Sequence, residues 1–120
     1  MTYSTQRRFL TLSRREGERI SIHNTNRKVA SITPEYIDSQ SVLLNVNGLL
    51  AVMLKSDPAD VYLDANGRII KQEESAVIHI TLDGSNPNQS GSNKARISIS
   101  APRSQYPIFR DELLQGVPAR

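Results

Sequence analysis

The sequence contains no cysteine and no tryptophan, only two histidines, and just 5% aromatic residues among its 120 residues. The absence of cysteine excludes disulfides, thiolate metal sites and a cysteine nucleophile. Two histidines are too few for a histidine-rich metal site, so we expect no metal and no cofactor. No apolar segment approaches the roughly 18 residues of a membrane span, and the first 20 residues are polar, unlike a secretory signal. We therefore expect a cytoplasmic protein that binds no membrane.

What remains is an ordinary globular composition, with 38% hydrophobic and 22% charged residues. The length favours a single domain. The net charge of +3 is unevenly distributed along the chain. Residues 1–28 carry seven basic against two acidic side chains, residues 29–93 three against eight, and residues 94–120 five against two. If the two basic ends meet in the fold, they form one positive surface that attracts phosphate backbones; the alternative is an ordinary solvated surface.

Alternation of apolar and polar residues, which is typical of β-strands, dominates the pattern. Residues 9–13 and 19–22 predict two strands joined by a short turn. Residues 76–82 and 95–100 predict two more strands. Their connection, residues 83–94, is rich in Gly, Ser, Asn and Pro and predicts a mobile loop.

The middle of the chain predicts two β-hairpins, because Asn-Gly between alternating segments is the strongest short-range hairpin pattern. The flanking segments are 41–46 and 49–54 around Asn47-Gly48, and 61–65 and 68–71 around Asn66-Gly67. Thr33 and Pro34 favour one helical turn over residues 33–37. Residues 110–115 predict a short C-terminal helical turn that Gly116 ends. The predicted fold class is all-β with at most short helices.

Two segments match the pattern of a known family. Residues 10–22 have the sequence LTLSRREGERISI, close to the pattern L-x-L-x-R-R-x-G-E-x-[IL]-x-I. Residues 95–102 (ARISISAP) and 108–113 (IFRDEL) are close to [VA]-R-[IL]-G-I-x-A-P followed by V-x-R-x-E-[IL]. In both segments the chain resembles the carbon storage regulator (CsrA/RsmA) family. On this resemblance residues 1–120 form one domain, with the family core at 9–22 and 76–115 and an insertion at 23–75.

The resemblance implies a small sheet or barrel of antiparallel strands, intertwined with a second copy as a homodimer, plus an inserted pair of hairpins. Members of the family are translational regulators that bind GGA motifs in hairpin loops of mRNA or small RNA. They block translation or alter transcript stability. The first and last strands, from different chains, would lie side by side and form two equivalent RNA sites. The residues that the resemblance assigns to RNA binding are Leu12, Ser13, Arg14, Arg15, Ala101, Pro102, Ile108, Phe109 and Arg110.

Several of these assignments have alternatives. Leu12 and Ile108 also fit a core role, because alternating strands need an apolar face. Phe109 stands where the family has histidine, and fits either base stacking or the core. The apolar insertion 23–75 can enlarge the core, close the fold into a monomer, or bind another protein. If it covers Arg110, the alternative function is a protein-interaction module or antagonist that has lost RNA binding.

An enzymatic interpretation rests on two H-x-T triplets, His23-Asn24-Thr25 and His79-Ile80-Thr81. Paired H-x-T motifs occur in two-histidine phosphoesterases that act on RNA ends, where the histidines serve as acid and base. However, Asn24 and Asn26 break the alternation expected around the first triplet, and the chain is short for that fold. We therefore expect no enzyme, and an RNA interface in which arginines contact phosphates and bind RNA in a salt-dependent way.

Overall fold

The computed structural model describes residues 9–25, 27–83, 94–102 and 104–111, and over these ranges the chain is all-β, as predicted. Ten strands form two antiparallel five-stranded sheets. The strands are β1 (Leu10–Arg15), β2 (Ile20–Asn24), β3 (Arg27–Ile37), β4 (Ser41–Val46), β5 (Leu49–Leu54), β6 (Val61–Leu63), β7 (Ile69–Ile70), β8 (Ile78–Leu82), β9 (Lys94–Ser100) and β10 (Ile108–Arg110). A 3-10 turn covers Glu73–Ser75. None of the described residues belongs to a helix long and apolar enough to cross a membrane.

The first sheet has the strand order β1-β9-β8-β6-β7, and the second sheet has the order β10-β2-β3-β4-β5. Over the described residues, β1 lies in the first sheet, β2 to β5 lie in the second, β6 to β9 return to the first, and β10 lies in the second. The strands of the insertion are therefore divided between the sheets. β3, β4 and β5 extend the second sheet, while β6 and β7 extend the first.

A single apolar core includes strands of both sheets and follows from the alternation in the sequence. Every second residue of β4 (Val42, Leu44 and Val46) is buried, as is every second residue of β8. Nine of the 19 buried residues of this core cluster come from residues 23–75. Because burying one such side chain contributes about 1.5–3 kcal/mol, the insertion supplies a large part of the apolar burial that stabilises the fold.

Both predicted hairpins are present. The β4–β5 hairpin closes with Val46 opposite Leu49, and Asn47 and Gly48 have φ values of 53° and 91°. Positive φ at both central residues is the requirement that makes Asn-Gly favourable here. In the β6–β7 hairpin, Leu63 lies opposite Ile69.

The helical turn predicted for residues 33–37 is wrong, because these residues lie inside β3. Tyr36 pairs with Leu43 and Ile37 with Val42 of the neighbouring strand. The register shifts between Pro34 and Tyr36, which marks a β-bulge. Proline has no N–H to donate, and it is tolerated in a bulge because the ladder of hydrogen bonds is interrupted there. The Thr-Pro pair that resembles a helix start is thus part of a bent strand.

The two strands predicted near the N-terminus are present but lie in different sheets. β1 pairs with β9, with Leu12 opposite Ile97, whereas β2 pairs with β3 and β10. Residues 16–19 form the corner between them, where the Glu18 N–H donates to the Arg15 carbonyl at 3.0 Å.

Of the predicted loop 83–94, residues 84–93 lie outside the described residues, and so do residues 112–115 of the predicted C-terminal helical turn.

Two glycines with the same backbone conformation provide a matched test of packing. Gly17 and Gly67 have φ values of +83° and +84°, but an added Cβ meets nothing within 4 Å at Gly17 and clashes with the Val29 carbonyl oxygen at Gly67. We expect Gly17→Ala to lower the free energy of unfolding by about 1–2 kcal/mol, the cost of a left-handed residue. Gly67→Ala adds a backbone clash and should cost at least about 2 kcal/mol more. Urea unfolding followed by circular dichroism measures both, and equal losses would contradict the packing argument.

Candidate nucleic-acid interface

The two basic ends of the sequence meet where β1 pairs with β9. Arg15 lies opposite Lys94, and Ser13 lies opposite Arg96. Because side chains alternate along a strand, these four residues share the outer face of the first sheet. Arg15 and Lys94 are both exposed there. The pairing thus joins residues about 80 positions apart in sequence, as Arg15 and Lys94 are, into one basic surface.

The same alternation turns two predicted RNA-binding residues inward. Leu12 is 8% exposed and belongs to the core cluster, and Arg14 is only 2% exposed. A buried guanidinium needs a charged partner, and a terminal nitrogen of Arg14 lies 3.1 Å from Oε1 of Glu18. Arg14 therefore has a structural role in this fold, and the phosphate contact expected for it is corrected. For Leu12 the core role holds.

Glu18 is the central acceptor of the corner between β1 and β2. Its Oε1 accepts a hydrogen bond from the Arg15 N–H at 2.8 Å in addition to its ion pair with Arg14. The hydrogen bond from the Arg15 backbone, and after it the positive charges of Arg14, Arg15 and Lys94, hold the pKa of Glu18 below its usual value. This arrangement fixes the backbone at the point where Arg15 leaves β1.

The same corner is attached to β3 by two further hydrogen bonds. The Gly17 N–H donates to the Pro34 carbonyl at 2.8 Å, and the Ile37 N–H donates to Oε2 of Glu16 at 2.8 Å. The residues on either side of the β3 bulge thus hold the loop that connects the two sheets. The position of Arg15 depends in this way on the inserted segment.

The last described strand brings a further predicted arginine to this corner. Arg110 is exposed and lies opposite Ile20, the first residue of β2. Since β1 ends at Arg15, Arg15 and Arg110 flank the same four-residue corner. Asp111 fixes this end of β10: its N–H donates to the Arg19 carbonyl at 3.1 Å, and its carboxylate accepts from the Ser21 hydroxyl and pairs with the Arg19 guanidinium at 3.4 Å.

The remaining predicted residues lie in β10 itself and in the segment that leads into it. Ala101 and Ile108 are half-buried and pack against the core, whereas Pro102 is exposed. Phe109 is half-buried, and its ring makes a T-shaped contact with His23, with ring centres 5.5 Å apart and planes at 86°. The predicted residues that face solvent are therefore Ser13, Arg15, Pro102 and Arg110.

Acidic neighbours distinguish the basic side chains from one another. Arg96 pairs with Asp83 at 3.1 Å, and Arg19 pairs with Asp111. Among the described residues, neither Arg15 nor Arg110 has an ion pair. Within this surface, these two guanidinium groups are therefore available for an external anion. Sequence reasoning missed Arg19, Lys94 and Arg96 as members of the surface, because only the long-range register of β1 on β9 and of β10 on β2 reveals them.

The two H-x-T triplets are not brought together. His23 lies on β2 in the second sheet, and its Nε2 is buried with no hydrogen-bond partner in the described part of the chain. His79 lies on β8 in the first sheet, with its Nε2 2.9 Å from Oδ1 of Asp60. A paired acid and base need both imidazoles on one surface, and here they belong to different sheets.

Comparison with known proteins adds no relative: no protein family, no curated protein and no solved structure matches this chain. The resemblance to carbon storage regulators therefore rests on residues 10–22 and 95–113 themselves and stays a prediction. The candidate site is defined by the positions of the exposed arginines Arg15 and Arg110.

Glu18→Gln tests the role of the ion pair between the buried Arg14 and the partly exposed Glu18. We expect it to lower the free energy of unfolding at pH 7 by about 1–2 kcal/mol, because the buried Arg14 guanidinium loses a facing negative charge. The pKa of Glu18 in the folded state lies below its ordinary 4.5. The stability that the ionised Glu18 contributes is therefore fully present above pH 4.5 and is lost as the pH falls through the folded-state pKa. The difference from wild type should therefore shrink in acid. Unfolding titrations at several pH values, with Glu73→Gln as the surface control, measure this; a difference that is independent of pH would contradict it.

Proposed function

We propose that this protein is an RNA-binding post-transcriptional regulator that binds GGA-containing hairpin loops of mRNA or small RNA and blocks translation or alters transcript stability. The observation that carries the proposal is the corner at residues 16–19, which Arg15 and Arg110 flank as exposed arginines. These arginines come from the two segments that resemble the family. Basic side chains arranged in this way supply the phosphate contacts that dominate nucleic-acid affinity.

Base recognition requires more than charge, and the strand edges offer it. β1 is an edge strand of the first sheet, and β10 is an edge strand of the second. The outer edge of such a strand presents unpaired backbone N–H and C=O groups. Sequence-specific RNA recognition targets unpaired loop bases through hydrogen bonds to their exposed edges. We propose that the edges of β1 and β10 read the loop while Arg15 and Arg110 hold its backbone.

The resemblance assigns the two RNA-binding strands to different chains of a homodimer. Here β1 and β10 flank one corner within one chain, and one chain supplies all ten strands of both sheets. We therefore propose one complete RNA site per chain. The homodimer stays a prediction of the resemblance, which a mass measurement in solution with and without RNA checks.

The central test is binding to an RNA hairpin with GGA in its loop, beside the same hairpin with CCA. We expect Arg110→Ala and Arg15→Ala each to weaken binding to the GGA hairpin about ten-fold, because each removes a charge-assisted phosphate contact. Each should also reduce the slope of log K against log salt by about 1. Lys71→Ala, an exposed cation of the insertion, is the control and should change neither quantity. Fluorescence anisotropy over a salt series measures all four proteins.

Two results would count against this function. Equal, weak and salt-sensitive binding to both hairpins would reduce the interface to a nonspecific basic surface. The absence of binding to either hairpin would favour the second candidate function, for which a separate observation exists.

That observation is the apolar edge of the insertion, which favours a protein-interaction module. On β5, the last strand of the second sheet, Leu50, Val52 and Leu54 are 60%, 67% and 51% exposed. The strand LLAVML contains no charge and no proline, the usual protections of a free edge. A groove of about 270 Å³ lies between β5 and the β6–β7 hairpin, and its lining includes Leu49 and Ile69. Such an edge accepts an extended apolar segment as an added strand.

Val52→Lys tests the second candidate. If β5 accepts an added strand, the wild-type protein should bind a lysine-flanked synthetic peptide of the β5 sequence, and Val52→Lys should weaken this binding about ten-fold, because it places a charge in the apolar contact. Thr11→Lys, on the outer face of β1 at the opposite side of the fold, is the control. Isothermal titration calorimetry measures the three proteins, and equal binding by all three would exclude β5 as the contact.

A further inference from the structure

The outer face of the first sheet carries an aromatic row that the proposed loop-binding corner does not use. We propose that Phe9, packed against His79 in a row with Tyr62, provides a stacking platform for unpaired RNA bases that adjoin the recognised loop. This inference rests on the proposed function, since it extends the RNA site from the corner across the face of the sheet. Bases would stack on the aromatic ring in addition to the contacts that the arginines make with phosphates.

The rings form a continuous row across the strands. Tyr62 on β6 lies directly opposite His79 on β8, and their ring centres are 4.6 Å apart with planes tilted by 36°. On the other side, the rings of Phe9, just before β1, and His79 pack in a T-shaped contact with centres 5.1 Å apart. Phe9 is 43% exposed, which leaves a large apolar ring in contact with solvent at the end of the row.

The row is held in place before any ligand binds. Nε2 of His79 lies 2.9 Å from Oδ1 of Asp60, which fixes the central ring. The hydroxyl of Thr81, next to His79 on the same face of β8, donates to the Ala59 carbonyl at 2.9 Å and holds this segment against the sheet. A preorganised surface loses little conformational entropy when a base stacks on it.

The platform shares its face with the basic surface. Along β1 and β9 the same side of the sheet presents the pairs Thr11–Ser98, Ser13–Arg96 and Arg15–Lys94 in order from the aromatic row. Thr11 and Ser98 are hydrogen-bonded to each other through their hydroxyls at 2.9 Å. Arg15 lies six residue steps after Phe9, which is about 20 Å of extended strand. A short single-stranded segment can therefore contact the arginine with its backbone and the platform with its bases.

The neighbours of the row favour RNA over other partners for this face. Every base has a π-face, so stacking on aromatic side chains is tolerant of sequence and suits segments next to a specific motif. Hydroxyl and guanidinium groups, not further apolar residues, continue the face beyond Phe9. The apolar edge at β5 differs in this respect, because its exposed side chains lie among other apolar residues.

Phe9→Leu and Phe9→Trp test the platform with the GGA hairpin carrying single-stranded extensions of five nucleotides at both ends. Phe9→Leu keeps an apolar side chain but removes the ring, and we expect it to weaken binding about ten-fold, within the range measured for loss of one base–aromatic stack. The salt slope should stay unchanged, because no phosphate contact is lost. Phe9→Trp should keep the affinity. Since the chain has no tryptophan, the new indole is the sole tryptophan signal, and bound RNA should quench its fluorescence.

The controls separate the two proposals. Leu54→Ala removes an exposed apolar side chain from the second sheet and should leave RNA binding unchanged, and unfolding midpoints confirm that each variant is folded. One set of results would overturn the platform and leave the loop-binding function standing. In it, wild type binds the RNA and Arg15→Ala lowers the salt slope. Phe9→Leu, however, binds as tightly as wild type, and RNA does not quench the fluorescence of Phe9→Trp. If wild type binds neither this RNA nor the plain hairpin, the proposed function itself fails.

Discussion

The pairing of β1 with β9 is the interaction on which both the fold and the candidate interface depend. Its register sets Leu12 opposite Ile97 in the core and Ser13 opposite Arg96 on the surface. A shift by one residue would exchange these faces, placing Arg15 in the apolar interior and Leu12 in water. The buried Arg14 follows from the same register, since it shares the inward face with Leu12. The energetic cost of burying its charge is offset by Glu18, which also fixes the corner.

The insertion contributes to the interface without carrying its arginines. Its strands add to both sheets and supply nearly half of the core residues, so one chain covers the inner faces of both sheets. Its first strand, β3, also accepts and donates the hydrogen bonds that hold the corner, at Pro34 and Ile37. The side of the fold farthest from the corner is where β5 leaves apolar side chains exposed. The two candidate functions thus use opposite sides of the same pair of sheets.

Local chemistry made much of this fold predictable from the sequence. The all-β class and both hairpins follow from alternation and from Asn-Gly turns, where a residue pair alone dictates the backbone. β3 was missed because Thr33 and Pro34 have the chemistry of a helix start, and only the pairing with β4 shows that the chain is extended there. The burial of Arg14 was indicated by its even spacing from Leu12, but its charge suggested a surface role. The contribution of Lys94 and Arg96 to the surface depends on a pairing across about 80 residues, which no local pattern contains.

The segregation of charge along the chain has two separate physical causes. In the middle of the chain, Asp38 and Asp64 close turns: Asp38 accepts from the N–H groups of Gln40 and Ser41, and Asp64 from those of Asn66 and Arg68. These backbone hydrogen bonds hold the pKa of both carboxyl groups below the usual value. The basic side chains of the two ends instead lie mainly on β1, β9 and β10, where Arg15, Lys94 and Arg110 are exposed and Arg14 is buried. The potential at the corner is therefore set by the exposed cations Arg15 and Arg110 together with the acids Glu16, Glu18 and Asp111 that lie there, and salt will screen its effect on a phosphate.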